Sequence, residues 1–474
     1  MIKRNLLSLH ICLALAAFAG HAFADETVTP AAPKLDIQNE YTFMDSIKEG
    51  KNLTSFRLRY ENVSQDGNAP VITPAQPLKD ADALTLRSLI GWQTAPYHNF
   101  SFGAQLIDVS KLNDNFNDST PLSGPFNPAA NQPNKLAYAK VVDPDYTGVI
   151  QLFVDWTGIK NTKFRLGRQQ VNLDNVRFIG DIGFRQVMQV FDGVSVMNKS
   201  IPDTEVYLAH FEAVRQINTK LRSEGALEVA NIRYRISGTE FLVGYGYLSS
   251  FEDLGLGNAW FGAASLNNPG KLNINADQSN KTFGLRLDGI HPFNPNFRAL
   301  YTAEYAKQTD YSGGDSRIDA DYYKIGGGLG FDNLNVRIDQ ELLGSNDGKY
   351  AFQTPFGTNH LFQGWVDKFL ATPKEGIRDT FVTATYRFED FLFFADYHLF
   401  NSDEDFFKAT GGKGDKYGTE WNVAATYNYN KNIMAKIEYG KYSENDQYQP
   451  TATITQANRI RDTDKLWLTA MYTF

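Results

Sequence analysis

The chain has few thiols, no long apolar runs and no excess of positive charge. Its single cysteine, Cys12, falls in a stretch that reads as an export signal. Lys3 and Arg4 give the positive start, Leu6 to Ala19 the short apolar centre, and Ala22-Phe23-Ala24 an A-x-A cleavage site before Asp25. The mature chain would then hold no thiol, which excludes disulfides and cysteine-ligated metals. The apolar centre is too short for a membrane helix, and the longest later apolar cluster, Phe391 to Ala395, is shorter still. Without Lys3 and Arg4 the 46 basic residues become 44 against 54 acidic ones, so the net charge moves from -8 to -10 and argues against a nucleic-acid partner. Histidines are scarce in the mature part: His98, His210, His291, His360 and His398 are scattered, with no Ser-His-Asp spacing. No catalytic site, metal site or cofactor is therefore expected.

Aromatics and glycine are abundant, with 24 Tyr, 34 Phe and 38 Gly. That balance suits many strands with aromatic girdles and tight turns. At the end of the chain Leu466, Leu468, Ala470, Tyr472 and Phe474 alternate with Trp467, Thr469, Met471 and Thr473, one apolar face with a period of two. A final strand of this form, ending on an aromatic, resembles the signal read by the outer-membrane assembly machinery. Beside an export signal it points to an all-β transmembrane antiparallel barrel in the outer membrane of a Gram-negative-type bacterium, in contact with its lipid.

Period-two segments of the length a tilted membrane strand needs begin near residues 53, 83, 99, 148, 162, 190, 204, 226, 240, 281, 297, 321, 333, 379, 390, 418, 431 and 464. They predict about 18 strands; the sixth, seventh and fifteenth are weakly patterned, so 16 stays open. The gaps alternate. Short turns such as Gly158 to Asn161, Ser237 to Thr239, Asp332-Asn333, Glu389-Asp390 and Asn430 to Asn432 interleave with long loops such as Asn62 to Ala81, Lys111 to Tyr146, Ser250 to Asn280, Leu343 to Ile377 and Tyr442 to Asp462. An even barrel with both ends in the periplasm requires that phase, with long extracellular loops and short periplasmic turns. The predicted organisation is a signal peptide over 1–24, a periplasmic tail or small plug over 25–50, and the barrel over 51–474.

The alternation also assigns faces. On the first strand Phe56, Leu58 and Tyr60 face lipid while Arg57, Arg59 and Glu61 face the lumen; on the ninth, Phe241, Val243, Tyr245 and Tyr247 are expected to face lipid. Trp92 and Trp156 fall at inner strand ends and Trp421 near an outer end, depths suited to interfacial rings. A barrel this wide is not filled by its own side chains, so an aqueous channel follows unless loops block it. The pore-lining candidates are Arg57, Arg59, Arg87, Arg165, Arg233, Arg235, Arg286 and Arg337, with Arg298, Arg387, Lys324 and Lys436 on the same face. Guanidinium groups offer carboxylates a planar fork of donors that stays charged. Glu61, Glu228, Asp288, Glu304, Asp339 and Glu438 reach the same lumen or its rim, and a mixed ladder pairing its own charges is the alternative. Between two strands, Asp174, Asn175, Arg177, Asp181 and Arg185 stand among Gly167, Gly180 and Gly183, as expected of a loop folded into the channel as a constriction or locked to its wall. The acidic run Asn401 to Phe407 is expected as an exposed loop.

FRLRYENVSQDG at 56–67, DALTLRSLIGW at 82–92, VVDPDYTGVIQLFVDW at 141–156 and the segment RLGRQ, LDNVRFIGDIGFRQ, FDGVSV between Arg165 and Val196 together resemble the alginate-export-like outer-membrane porins. The resemblance is specific over the first half of the chain. It implies an 18-stranded barrel with an arginine-rich lumen that passes hydrophilic solutes, including an anionic saccharide or an acidic polysaccharide such as alginate. A general diffusion porin and a structural or adhesive barrel are the alternatives.

Overall fold

The computed structural model describes residues 42–68, 76–118, 135–254, 277–408, 412–447 and 461–474; the expected signal sequence lies outside them. Eighteen strands form one sheet: β1 Ser55–Gln65, β2 Ala81–Gln93, β3 Phe100–Lys111, β4 Tyr146–Trp156, β5 Thr162–Gln169, β6 Val190–Asn198, β7 Thr204–Arg215, β8 Leu227–Ser237, β9 Thr239–Ser249, β10 Asn280–Asn294, β11 Phe297–Asp310, β12 Asp319–Phe331, β13 Leu334–Leu343, β14 Ile377–Phe388, β15 Phe391–Phe407, β16 Lys413–Asn428, β17 Ile433–Glu444 and β18 Thr463–Thr473. The two-residue pieces Lys51–Asn52 and Leu221–Arg222 extend its rims. Each strand pairs antiparallel with its chain neighbour, and β18 returns to β1 in unbroken register from Ser55↔Thr473 to Gln65↔Thr463. The ring is closed.

The period-two pattern separates two chemistries. Every strand places a large apolar side chain outward in the open, among them Leu58, Leu106, Leu152, Ile232, Ile325 and Ile437, while the inward partners are buried and polar or charged, among them Arg57, Gln105, Gln151, Glu304 and Glu438. A water-soluble protein does the reverse; an exterior belt of this extent belongs in hydrocarbon. The expected alternation of gaps holds, from Gly238 alone between β8 and β9 to the 33-residue excursion 344–376 between β13 and β14. Ahead of the barrel, helix α1 (Phe43–Lys48), closed by a Thr42–Asp45 capping box, lies on the short-turn rim. There Trp92 Nε1 donates to Ile47 O at 2.8 Å and Ala95 N to Ser46 O at 2.8 Å.

Three local expectations change. On β9 the outward lane is Leu242, Gly244, Gly246 and Leu248, and Phe241, Val243, Tyr245 and Tyr247 turn inward; Leu242 is 38% exposed and Tyr247 2%. The reason is an apolar cluster inside the barrel, where Tyr245 meets Phe178 at 4.7 Å between ring centroids and Tyr247 meets Phe356 at 5.6 Å. Asn401 to Phe407 is not a loop but the end of β15, paired with a β16 that starts at Lys413 rather than near 418. Phe406, stacked on Tyr417 at 5.5 Å, holds this extension together. The weakly patterned sixth, seventh and fifteenth strands are all present, which fixes the count at eighteen.

The alternation of gaps makes a topological prediction. An epitope inserted at Ser312, between β11 and β12, should be labelled on intact cells, and one at Lys160, between β4 and β5, only after permeabilisation. Labelling of Lys160 alone would invert the barrel.

Candidate functional site: a constriction built from two inward-folded loops

The segment 170–189, between β5 and β6, is hereafter L3, and 344–376, between β13 and β14, is L7. An irregular loop inside a barrel carries backbone groups that no strand ladder satisfies, and each one left bare in a dry site costs stability. The wall supplies the partners. Arg57 on β1 donates to Gln186 Oε1 at 2.9 Å, to Gly183 O at 2.7 Å and to Arg185 O. Arg59 donates to Phe184 O and lies over the Phe184 ring at 4.2 Å. Gln186 Nε2 donates to Thr85 Oγ1 on β2 at 2.8 Å, and Gln186 N to Asp143 Oδ1 at 2.9 Å. These are charge-assisted or buried bonds, stronger than their exposed counterparts.

The remaining L3 candidates divide between its internal shape and its contacts. Asp181 Oδ1 accepts from Gly183 N at 2.9 Å, and Asn175 Oδ1 from Arg177 N at 3.2 Å, so both fold the loop on itself. Asp174 accepts from Asn231 on β8. Arg177, fully buried, is 2.8 Å from Glu341 on β13 and donates to Gln363 of L7 at 2.9 Å. Arg185 reaches Glu61 at 2.9 Å and Asp367 of L7 at 3.1 Å. Asp367 is a hub, for it also accepts from Lys465 of β18 at 3.1 Å and pairs with His360 Nδ1 at 2.8 Å. Burial opposes its charge, but Lys465, His360 and Arg185 together hold its carboxyl well below the usual carboxylate range; burial keeps His360 low as well.

The wall arginines fall into groups. Arg57 and Arg59 hold L3, and Arg87 is buried on β2. Arg286 pairs with Asp288 and Arg337 with Asp339, each two residues on along the same strand face, as Lys436 does with Glu438. Arg165 forms two bonds to Asp155, at 2.6 and 2.8 Å, over the Phe153 ring. Arg233 lies on the Phe241 ring at 3.8 Å, and Arg235 is exposed toward the short-turn end. The sequence predicts 343–377 as a long outer loop and has no period to show where it folds; its body, L7, lies inside the barrel. Phe352, Phe356, Phe362, Trp365 and Phe369 were its signal, too many rings for a solvated loop, and all five are buried. Among the described residues no group of His, Cys, Asp and Glu has the arrangement of a metal site.

A closed strand ring with its apolar surface outward and its charges inward, narrowed by loops that fold back into it, is how channels of the bacterial outer membrane are built, and the protein is one of that class. The chain belongs to the Alginate export family, whose profile matches residues 54–340. A comparison with curated proteins finds no match. Solved structures share the fold at low identity. OccAB4 of Acinetobacter baumannii is 15% identical with a TM-score of 0.62, over 88% of this chain and 96% of that one. OpdQ of Pseudomonas aeruginosa is 13% identical with a TM-score of 0.61, over 91% and 99%. OpdK of Pseudomonas aeruginosa, solved with vanillate, is 13% identical with a TM-score of 0.59, over 90% and 98%. The protein is an outer-membrane channel for hydrophilic solutes.

The Asp367 hub is testable. Asp367→Asn should leave the barrel assembled but take from buried Lys465 its carboxylate and from Arg185 one of its two, at a cost of about 3–5 kcal/mol to loop docking. In folded protein, trypsin should then cut at Lys368 and Lys374 faster than in wild type. Equal rates would mean that L7 is held elsewhere.

Proposed function

We propose that the channel prefers small anions, sugar acids among them, over acidic polysaccharides such as alginate. The observation that carries this reading is the state of the luminal bases once the loops are placed. Those near L3 and L7 are occupied by loop carbonyls or by acids two residues away, whereas Arg235 is exposed in the short-turn half of the lumen and Arg233 beside it lies on the Phe241 ring, with Asp174, Glu205 and Asp288 in its field. Bases held in a low-dielectric wall raise the local concentration of anions. The L3–L7 contact across the interior favours a small solute over a polymer chain. Neither the lumen nor the loops are assigned any enzymatic step. A general porin is the second reading, favoured by the Arg286–Asp288, Arg337–Asp339 and Lys436–Glu438 pairs, which neutralise much of the ladder.

Two measurements separate these readings. Arg233→Gln with Arg235→Gln should shift reversal potentials in planar bilayers toward cations, more strongly at low salt, where screening lengthens beyond about 8 Å. Arg57→Gln with Arg59→Gln should instead disturb L3, which makes it a control for loop effects. Unchanged selectivity in the first pair, with assembly confirmed, reduces the channel to a general porin.

A pH dependence follows from the long-loop mouth. Desolvation, with Lys465 adding, pushes Lys368 down to about 7. It loses positive charge as pH rises through that value, so anion preference should fall between about pH 6 and pH 8, a range in which ordinary lysines stay charged. A flat profile would remove Lys368 from the solute path.

A further inference from the structure

L3 holds two β-branched residues in the left-handed region, Val176 at φ 56° and Ile182 at φ 53°, with Asp174 at φ 53° beside them. A polar residue such as Asp174 tolerates that conformation; a β-branched one crowds its own backbone there and stays only if its surroundings compel it. One residue of L7 holds both. Thr358 N donates to Val176 O at 2.9 Å, and Thr358 Oγ1 accepts from Ile182 N at 3.1 Å. The seam around it is close-packed: Gly180 N donates to Phe356 O at 2.9 Å, and Gln189 Nε2 donates to Gly180 O at 2.8 Å and to Phe356 O at 2.9 Å. It tolerates no side chain at two places. A Cβ on Gly180 would stand 2.3 Å from Thr358 Oγ1, and one on Gly357 2.1 Å from Arg177 O.

We propose that Thr358 is the latch that keeps the constriction loop in a strained conformation, so that release of L7 lets L3 relax and changes the pore. The inference rests on the channel reading above and adds a moving part to it. Strain in L3 is offset only while the seam is made. The loop therefore has two discrete arrangements rather than a continuous range, which is the condition for a switch. Thr358 acts through Val176 and Ile182 as a positioning residue. Its side chain is buried, and nothing in the argument requires it to touch a solute.

The test is a mutant cycle in the full-length protein, with Thr358→Val, Thr358→Ser, Ile182→Gly and the Thr358→Val/Ile182→Gly double variant. Folding of each is confirmed by heat-modifiable migration. Valine keeps the shape and the backbone N–H but removes the acceptor; serine restores it; glycine at 182 removes the strain at the residue whose N–H that acceptor holds. Hydrogen exchange across L3 in Thr358→Val should rise by about tenfold, the worth of one buried hydrogen bond. Open-channel noise should increase with it, and Thr358→Ser should match wild type. The distinguishing result is non-additivity: Thr358→Val should have a much smaller effect in the Ile182→Gly background, because the hydroxyl then holds a residue that is no longer strained. A simple lost hydrogen bond would act equally in both backgrounds and would overturn the proposal, as would wild-type exchange in Thr358→Val. A wild-type protein that does not conduct would count against the channel reading, while the exchange measurements still decide the latch.

Discussion

Hydrocarbon offers a backbone no partners, so every N–H and C=O within it must be satisfied by the protein, and the pairing of β1 with β18 is what makes that possible here. With the ring closed there is no edge, each strand is bonded on both sides, and side chains are free to divide by face. The same demand explains the interior. L3 and L7 bring loop backbone into an enclosed space, and the wall answers with guanidinium donors and a hydroxyl acceptor in place of a strand ladder. Much of the arginine on the luminal face is therefore structural in its immediate chemistry, although it lines the same cavity that a solute would cross.

The strands and turns could be read from sequence because they are local properties, set by side chains alternating across a pleat. Seventeen strand starts fall within two residues of those expected, and the departure, Lys413 against 418, comes from a hairpin that runs past the membrane belt. The face assignment of β9 failed for a reason that is not local. In LVGYGYL the rings suggest a lipid face, but the decision is made by Phe178 and Phe356, which come from loops far away in the chain. The L3 residues Asp174, Asn175, Arg177, Asp181 and Arg185 could be found because charges among glycines are unusual between strands. Their partners Thr358, His360, Gln363 and Asp367 could not, because a loop has no period to betray where it folds.

Charge in this lumen is organised at short range. The base-x-acid spacing of Arg286 and Asp288, Arg337 and Asp339, and Lys436 and Glu438 puts opposite charges on one face of one strand, so that each pair forms without help from a neighbouring strand. Each pair is neutral as a unit and contributes little net field. The imbalance that could act on a passing ion is left to the bases outside these pairs, of which Arg235 is exposed.

The anchors of L3 and L7 also tie the loops to the closure of the ring. Arg57, Arg59 and Glu61 lie on β1, and Lys465, which completes the Asp367 hub, lies on β18, more than 400 residues away. L3 is received by β1 and β2 while L7 reaches β18 through Asp367 and Lys465, so the surface that receives both loops is complete only where the first and last strands lie side by side. The Asp367 hub therefore depends on closure of the ring: without the β1–β18 pairing, Lys465 would not stand beside the strand that carries Glu61.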